Sequence, residues 1–314
     1  AQIIGIDTRS ADNSIVCILR ILKKRKGCII KENGTITHGR SLDEAYTGCL
    51  VLEKAAKTYI SARILGGYKK IPIYEAALMH LIYQKKYSKA NQNMLLEKEV
   101  SDKNEQIDTT MEYGVKEKEL RQLVVDAGKK LLNNNLVQGT WGNISVRLDD
   151  EHMLITPSGL DYLSLKPSDI VKQNIYTMEY EGNLKPSGEK DIHATLLRSR
   201  KDINAVIHSH PNEGSAYAAS HIELPEINDD MKKHIKGNAK VSKYALPSTK
   251  KLAKATVEAM DNRNACFMAN HGMISVGATM DEAFECSKIL ETSAGAYIDQ
   301  KAAEYNPEGN ISAQ

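Results

Sequence analysis

"CFMANHGMISVGATMDEAFECSKILETSAGAYI", Cys266–Ile298, reads as an apolar strand, a glycine turn, a second strand and a helix. Thr279 is placed to cap that helix, because a hydroxyl before the first turn can accept one of its unpaired N–H groups. Ala283, Phe284, Ile289, Leu290, Ala294 and Tyr297 then recur at helical spacing and give it one core-facing side.

The same pattern occurs a second time. "CIIKENGTITHGRSLDEAYTGCLVLEKAAKTYI", Cys28–Ile60, aligns with it without a gap. Cys28, Gly34, Gly39, Asp43, Glu44, Ala45, Leu52, Glu53, Tyr59 and Ile60 all recur as identical residues, with Ser41 in the place of Thr279. A register held this long indicates duplication of one structural unit. Only the later copy is preceded by the rest of a domain. The expected organisation is therefore a partial, non-catalytic repeat over 1–84, a charged linker over 85–110, a complete domain over 111–305 and a tail over 306–314.

Within the complete domain, Leu120, Leu123, Val124, Ala127 and Leu131 trace a helix stripe that stops at "NNN". Short strands follow at "NISVRL" and "HMLITP", then a helix after "PSGEKD" and the strand "INAVIHSH". Helices interleaved with short strands define an α/β layered domain.

Composition narrows the function. The 42 basic and 40 acidic residues nearly balance, which argues against a general polyanion binder and hence against nucleic acid. No apolar run approaches the roughly 18 residues that span a bilayer, so no membrane partner is expected. The five cysteines, Cys17, Cys28, Cys49, Cys266 and Cys286, form no CxxC pair and read as buried thiols of a reducing, cytoplasmic compartment. The opening "AQIIGIDTRS" has neither an initiator Met nor a signal-peptide pattern, and the chain reads as trimmed from a longer one.

The chemistry concentrates in "AVIHSHPNEG", Ala205–Gly214. On a strand, residues two apart share a face at about 6.5–7 Å, so His208 and His210 can converge on one ion. Pro211 ends the strand and is expected to leave the pair at a sheet edge, open to substrate. Taken alone, the pair could equally be a polar strand end. "ANHGMIS" adds His271 against a glycine that permits close approach, where the early copy has Asn33. "KPSGEKDIHATLL" adds Glu189 in the first turn of a helix, whose free N–H groups also suit phosphate. His193 can share a face with Glu189, although a packed, hydrogen-bonded histidine is the commoner case.

"GTWGNISVR" (139–147), "ITPSG" (155–159), "PSGE" (186–189), "AVIHSHP" (205–211) and "ANHG" (269–272) occur in the order found in the class II aldolase/adducin family, which this sequence resembles over about 111–305. The resemblance implies a three-layer αβα domain with a central mixed, largely antiparallel sheet. It implies His208, His210 and His271 as ligands of Zn²⁺ or another divalent transition metal. Glu189 is implied as a fourth ligand that substrate displaces and that then serves as acid/base. Asn143, Ser158, Gly159, Ser187 and Gly188 are implied as the cradle of a substrate phosphate.

The implied reaction is cleavage or formation of a C–C bond in a phosphorylated sugar, through a metal-stabilised enediolate. Members of the family also epimerise, dehydrate or decarboxylate, and adducin-like members are scaffolds without chemistry. Cyclic homo-oligomers, tetramers among them, are the family's habit and are expected here. Two departures stand out: Gly188 replaces a serine found in some members. Where some aldolases of the family carry a partner-subunit tyrosine acid, "LPEINDDMKKH" offers Asp229 or Asp230, of which Asp229 is the candidate.

Overall fold

Backbone N–H and C=O groups must be paired when buried, and the glycine-broken apolar runs meet that demand as antiparallel strands covered by helices. The computed structural model describes residues 3–4, 11–23, 25–30, 33–82, 114–138 and 140–305. The expected linker over 85–110, the domain start at Met111 and the tail over 306–314 lie outside the described residues. The chain divides into two compact units, Ala1–Ser61 and Ala62–Gln314.

In the first unit, β1 (Ile3–Ile4), α1 (Ala11–Leu22), β2 (Gly27–Ile30), β3 (Gly34–Thr37) and most of α2 (Leu42–Ile64) follow in order. β1 pairs parallel to β2, and β2 pairs antiparallel to β3. The Ser41 hydroxyl accepts the Glu44 N–H, and the Glu44 carboxylate accepts the Arg40 N–H at 2.6 Å. That backbone bond, with the Arg40 guanidinium, holds the Glu44 carboxyl at about 2.

The second unit contains α3 (Ile73–Ile82), α4 (Val115–Asn133), β4 (Asn143–Arg147), β5 (His152–Ile155), β6 (Val171–Asn174) and α5 (Lys190–Ser199). Then come β7 (Ala205–Ser209), α6 (Asn212–Ser220), a π-helical turn (Met231–Ile235), β8 (Val241–Ser242), α7 (Lys250–Met260), β9 (Ala265–Met268), β10 (Gly272–Gly277) and α8 (Met280–Glu304). The sheet order is β6-β5-β4-β7-β10-β9-β8. Its pairs are antiparallel except β8–β9, the mixed, largely antiparallel sheet that the resemblance implied.

Each sheet face is buried under helices, which makes three layers. Ile144, Ile207, Phe267 and Met273 pack with Val124 and Leu131 of α4, Tyr217 of α6, and Phe284 and Leu290 of α8. On the other face Met153, Val206, Cys266 and Ile274 pack with Ile192 and Leu196 of α5 and Leu252 of α7. The Thr279 cap forms as expected, its hydroxyl accepting the Glu282 N–H.

Within the first unit, β1, α1, β2, β3 and α2 follow in the same element order, and with the same strand pairing, as β8, α7, β9, β10 and α8. Ile3 opposes Ile29 as Val241 opposes Phe267, and Cys28 opposes Ile36 as Cys266 opposes Ile274. The Thr37 hydroxyl donates to the Ala45 carbonyl at 2.8 Å, and the Ser275 hydroxyl donates to the Ala283 carbonyl at 2.8 Å.

Several expectations are corrected. Leu123 of the α4 stripe is exposed, whereas Arg121 is buried. Its guanidinium is satisfied by Glu117 at 2.6 Å and by the carbonyls of Pro167 and Ile170. β7 is a central strand between β4 and β10, so the His-x-His pair stands at the end of an interior strand rather than at a sheet edge. Cys49 is half-buried and Cys17 exposed; all five thiols are free.

Candidate metal centre

β7 carries His208 with Asn143 opposite it on β4 and Ile274 opposite it on β10. Its Nδ1–H donates to the Met273 carbonyl at 2.9 Å, which fixes the ring and turns Nε2 outward. That Nε2 lies 2.9 Å from His210 Nε2. Two such nitrogens cannot both carry hydrogens at this distance; one donates, or both present lone pairs to a common cation.

His271 enters from the β9–β10 turn, behind Asn270 at φ +53°. Gly272 makes this approach feasible: a Cβ there would stand 2.5 Å from the Ser209 carbonyl and 3.2 Å from the His208 ring. One nitrogen from each of the three histidines lies within 4.8 Å of the others. The ring centroids are 4.5, 4.9 and 5.1 Å apart. Burial lowers the His271 pKa to about 4, which keeps that imidazole neutral and able to act as a ligand.

Glu189 occupies the N-cap position of α5, just before the first turn. Its Oε1 lies 4.0 Å from His271 Nε2 and accepts the N–H and hydroxyl of Ser248 at 3.1 and 3.2 Å. Its Oε2 is buried with no hydrogen-bond partner among the described residues. Burial raises the carboxyl's pKa, against the opposing pull of His208 and Ser248. A buried carboxylate oxygen lacking a donor is costly, and a divalent cation bound by the carboxylate would satisfy it. This donor set, three nitrogens and one oxygen, fits zinc and its borderline neighbours.

Ser158, Gly159, Ser187 and Gly188 lie in two turns that bond to each other. Pro157 and Pro186 form an antiparallel bridge, and the Ser158 N–H donates to the Lys185 carbonyl at 2.9 Å. The "ITPSG" and "PSGE" turns thus lie side by side at the start of α5, with Ser158 half-buried and Gly159 exposed at φ +83°. Ser187 Oγ accepts the Glu189 N–H at 3.2 Å, and Gly188 is half-buried beside it.

His193 is fully buried and is not one of the three clustered histidines. It hydrogen-bonds Asn143 Oδ1 at 2.5 Å and Ser145 Oγ at 2.7 Å, and burial pushes its pKa down to about 3. Asp229 and Asp230 are exposed at the entrance to the π-helical turn, and neither belongs to the clustered group.

Two supporting positions were not among the expected residues. Ser248, at φ +59°, anchors Glu189 across a long chain separation. Asn270 donates to the Lys69 carbonyl at 2.8 Å and bonds His221, which secures the turn that delivers His271. An asparagine tolerates positive φ better than most residues, a cue that "ANHG" did contain.

The fold and site together define a three-layer α/β protein in which three histidines cluster and a buried carboxylate lies 4.0 Å from one of them. The chain belongs to the class II aldolase and adducin family: the family's model, described as class II aldolase and adducin N-terminal domain, matches residues 122–298. It is 36% identical over 183 residues to a 5-deoxy-D-ribulose 1-phosphate aldolase of Bacillus thuringiensis, covering 58% of this chain and 85% of that one. An L-fuculose phosphate aldolase of Escherichia coli is 32% identical over 179 residues, covering 57% and 82%. A solved L-fuculose 1-phosphate aldolase superposes with a TM-score of 0.57 at 33% identity, covering 61% of this chain and 92% of that one. No helix among the described residues is long and apolar enough to cross a membrane.

Proposed function

We propose that this chain is a zinc-dependent aldolase of a phosphorylated sugar, cleaving or forming the C–C bond next to its carbonyl. The observation that carries the proposal is the convergence of His208, His210 and His271, with the buried Glu189 carboxylate 4.0 Å from His271. A divalent ion held there supplies Lewis acidity toward the carbonyl oxygen on which negative charge builds. Glu189, whose buried carboxyl keeps its proton more readily than an exposed one, gives and takes the proton at the reacting carbon or hydroxyl.

Asn143, Ser158, Gly159, Ser187 and Gly188 hold the phosphate end, so that the reacting carbons meet the histidines. The Ser187 hydroxyl oxygen already accepts a backbone N–H, which leaves its proton to donate to a phosphate oxygen. The named relatives act on deoxyribulose and fuculose phosphates, and a ketose 1-phosphate is the substrate class assigned here. Asp229 takes the second acid/base role from its exposed segment. The protein works as a homo-oligomer, a tetramer in this reading, in a reducing cytoplasmic compartment. The retained histidines speak against an adducin-like scaffold.

The test is metal analysis combined with aldehyde release from a panel of ketose 1-phosphates. About one Zn²⁺ per chain is expected, lost in His208→Ala, with cleavage of at least one panel member. A protein that takes up no metal and releases no aldehyde would be a scaffold. Asp229→Asn is expected to lower kcat and leave KM near its starting value; unchanged kcat would move the second acid/base role elsewhere.

A further inference from the structure

His208 lies within β7, where pairing with β4 and β10 places its backbone. His210 lies past that ladder, because Ser209, opposite Met273, is the last residue of β7. Its place is therefore set by Pro211 and the start of α6 at Asn212. Pro211 occupies the N-cap position, and its side chain gives the helix no acceptor. A capping side chain ordinarily serves the N–H groups of the second and third helical residues, here Glu213 and Gly214. These donate instead to Glu291 of α8, 78 and 77 residues along the chain. Glu213 donates to Oε1 at 2.9 Å and Gly214 to Oε2 at 2.8 Å.

Both oxygens of one carboxylate thus close the start of α6, where the positive end of the helix favours an anion. Packing leaves this arrangement little play. A Cβ on Gly214 would stand 3.1 Å from Met273 Sδ and 3.4 Å from both Glu291 Oε2 and Pro211 Cγ. A Cβ on Gly295, four residues beyond Glu291 on α8, would meet Glu213 Cγ at 3.4 Å. Pro211 is buried, and its carbonyl accepts the Ser215 N–H at 3.2 Å and the Ser215 hydroxyl. Met273, which packs against this corner, also supplies the carbonyl that fixes His208 Nδ1. The α8 carboxylate, the α6 start and the His210 turn therefore form one interlocked corner.

We propose that Glu291 is a positioning residue of the metal centre: by capping α6 it fixes the Pro211 turn, and so the direction from which His210 meets His208 and His271. The assignment rests on the metal reading above and extends it to a residue outside the clustered ligands. Glu291 acts through the backbone and holds no metal itself. Groups that orient a ligand in this way are typically worth about 10–100-fold in metal affinity.

The test measures Zn²⁺ affinity of the full chain, by competition with a chromophoric chelator, in wild type, Glu291→Ala, Glu291→Gln and Glu282→Ala. Glu282 is the control: it also lies on α8 and accepts a backbone N–H, that of Ala278 at 2.9 Å, but beyond the end of β10 remote from His271. Affinity should fall by about 10–100-fold in Glu291→Ala and less in Glu291→Gln, which keeps one acceptor oxygen. Glu282→Ala should bind Zn²⁺ as wild type does. In metal-free chain, the Glu213 and Gly214 amides should exchange hydrogen about tenfold faster in Glu291→Ala than in wild type. If Glu291→Ala does not fold, Glu291→Gln carries both comparisons. Wild-type affinity in the Glu291 variants, or a loss matched by Glu282→Ala, overturns the proposal and leaves the metal reading standing. Unchanged exchange at Glu213 and Gly214 also overturns it. A wild-type chain that takes up no Zn²⁺ overturns the metal reading itself, and this assignment with it.

Discussion

His193 Nε2 lies 2.5 Å from Asn143 Oδ1, and its Nδ1 lies 2.7 Å from the Ser145 hydroxyl. With the imidazole kept neutral by burial, Nε2–H donates to Asn143 and Nδ1 accepts from Ser145. The amide of Asn143 is thereby fixed, one strand over from His208, with its NH₂ left for another acceptor. His193→Phe should strand both partners and cost about 1–3 kcal/mol of stability. His193→Gln, which can still donate to Asn143, should recover part of the loss. If Asn143 orients substrate, KM in His193→Gln should rise while metal content stays at the wild-type level; unchanged KM would confine His193 to packing.

The same histidine sets a pH dependence. Its folded pKa, about 3, is below the ordinary value of 6.5, so the unfolded chain binds the proton more readily. The stabilising contribution is complete above about pH 6.5 and is lost progressively as pH falls toward 3. The slope is at most about 1.4 kcal/mol per pH unit for one proton. Urea titrations of wild type and His193→Gln between pH 4 and 7 should show a shallower decline in the variant; identical slopes would mean that other groups carry the effect.

Glu189 is held by Ser248 through one oxygen while the other has no partner. Glu189→Gln keeps the shape and the acceptor toward Ser248 but removes the proton-transfer group. Its activity should fall by about 10²–10⁴-fold, with metal retained by the histidines, though more weakly. Ser248→Ala should lower activity far less and change the pH profile, because it loosens the carboxylate without removing it. A Glu189→Gln enzyme with near wild-type kcat would exclude Glu189 as the acid/base.

Gly272 separates the His271 turn from β7, and any Cβ there meets the Ser209 carbonyl at 2.5 Å. Gly272→Ala must push the turn outward and is expected to cost about 1–3 kcal/mol. Because the displaced turn carries His271, metal affinity should drop further than in a remote variant of equal stability loss. Equal metal affinity in the two, measured by competition with a chromophoric chelator, would show that the turn adjusts without moving the ligand.

Much of the fold could be read locally. The hydroxyl caps at Ser41 and Thr279, the strands around "NISVR" and "AVIHS" and the α8 core face depend on neighbours within a few residues. The polar strand "VKQN" escaped, since its pairing with β5 supplies what its side chains do not signal. Leu123 is exposed and Arg121 buried because Pro167 and Ile170, far along the chain, offer the guanidinium its carbonyl partners.

The sequence by itself singled out the candidate site side chains, three histidines and a glutamate, each at the end of a recognisable element. It also carries identical residues at one constant offset between Cys28–Ile60 and Cys266–Ile298. Only the tertiary structure decided that β7 is an interior strand, that Ser248 and Asn270 hold Glu189 and the His271 turn, and that His193 serves Asn143. Those relationships join residues tens to hundreds of positions apart, and pairing at that distance is fixed by packing and desolvation across the sheet rather than by any local preference of the chain.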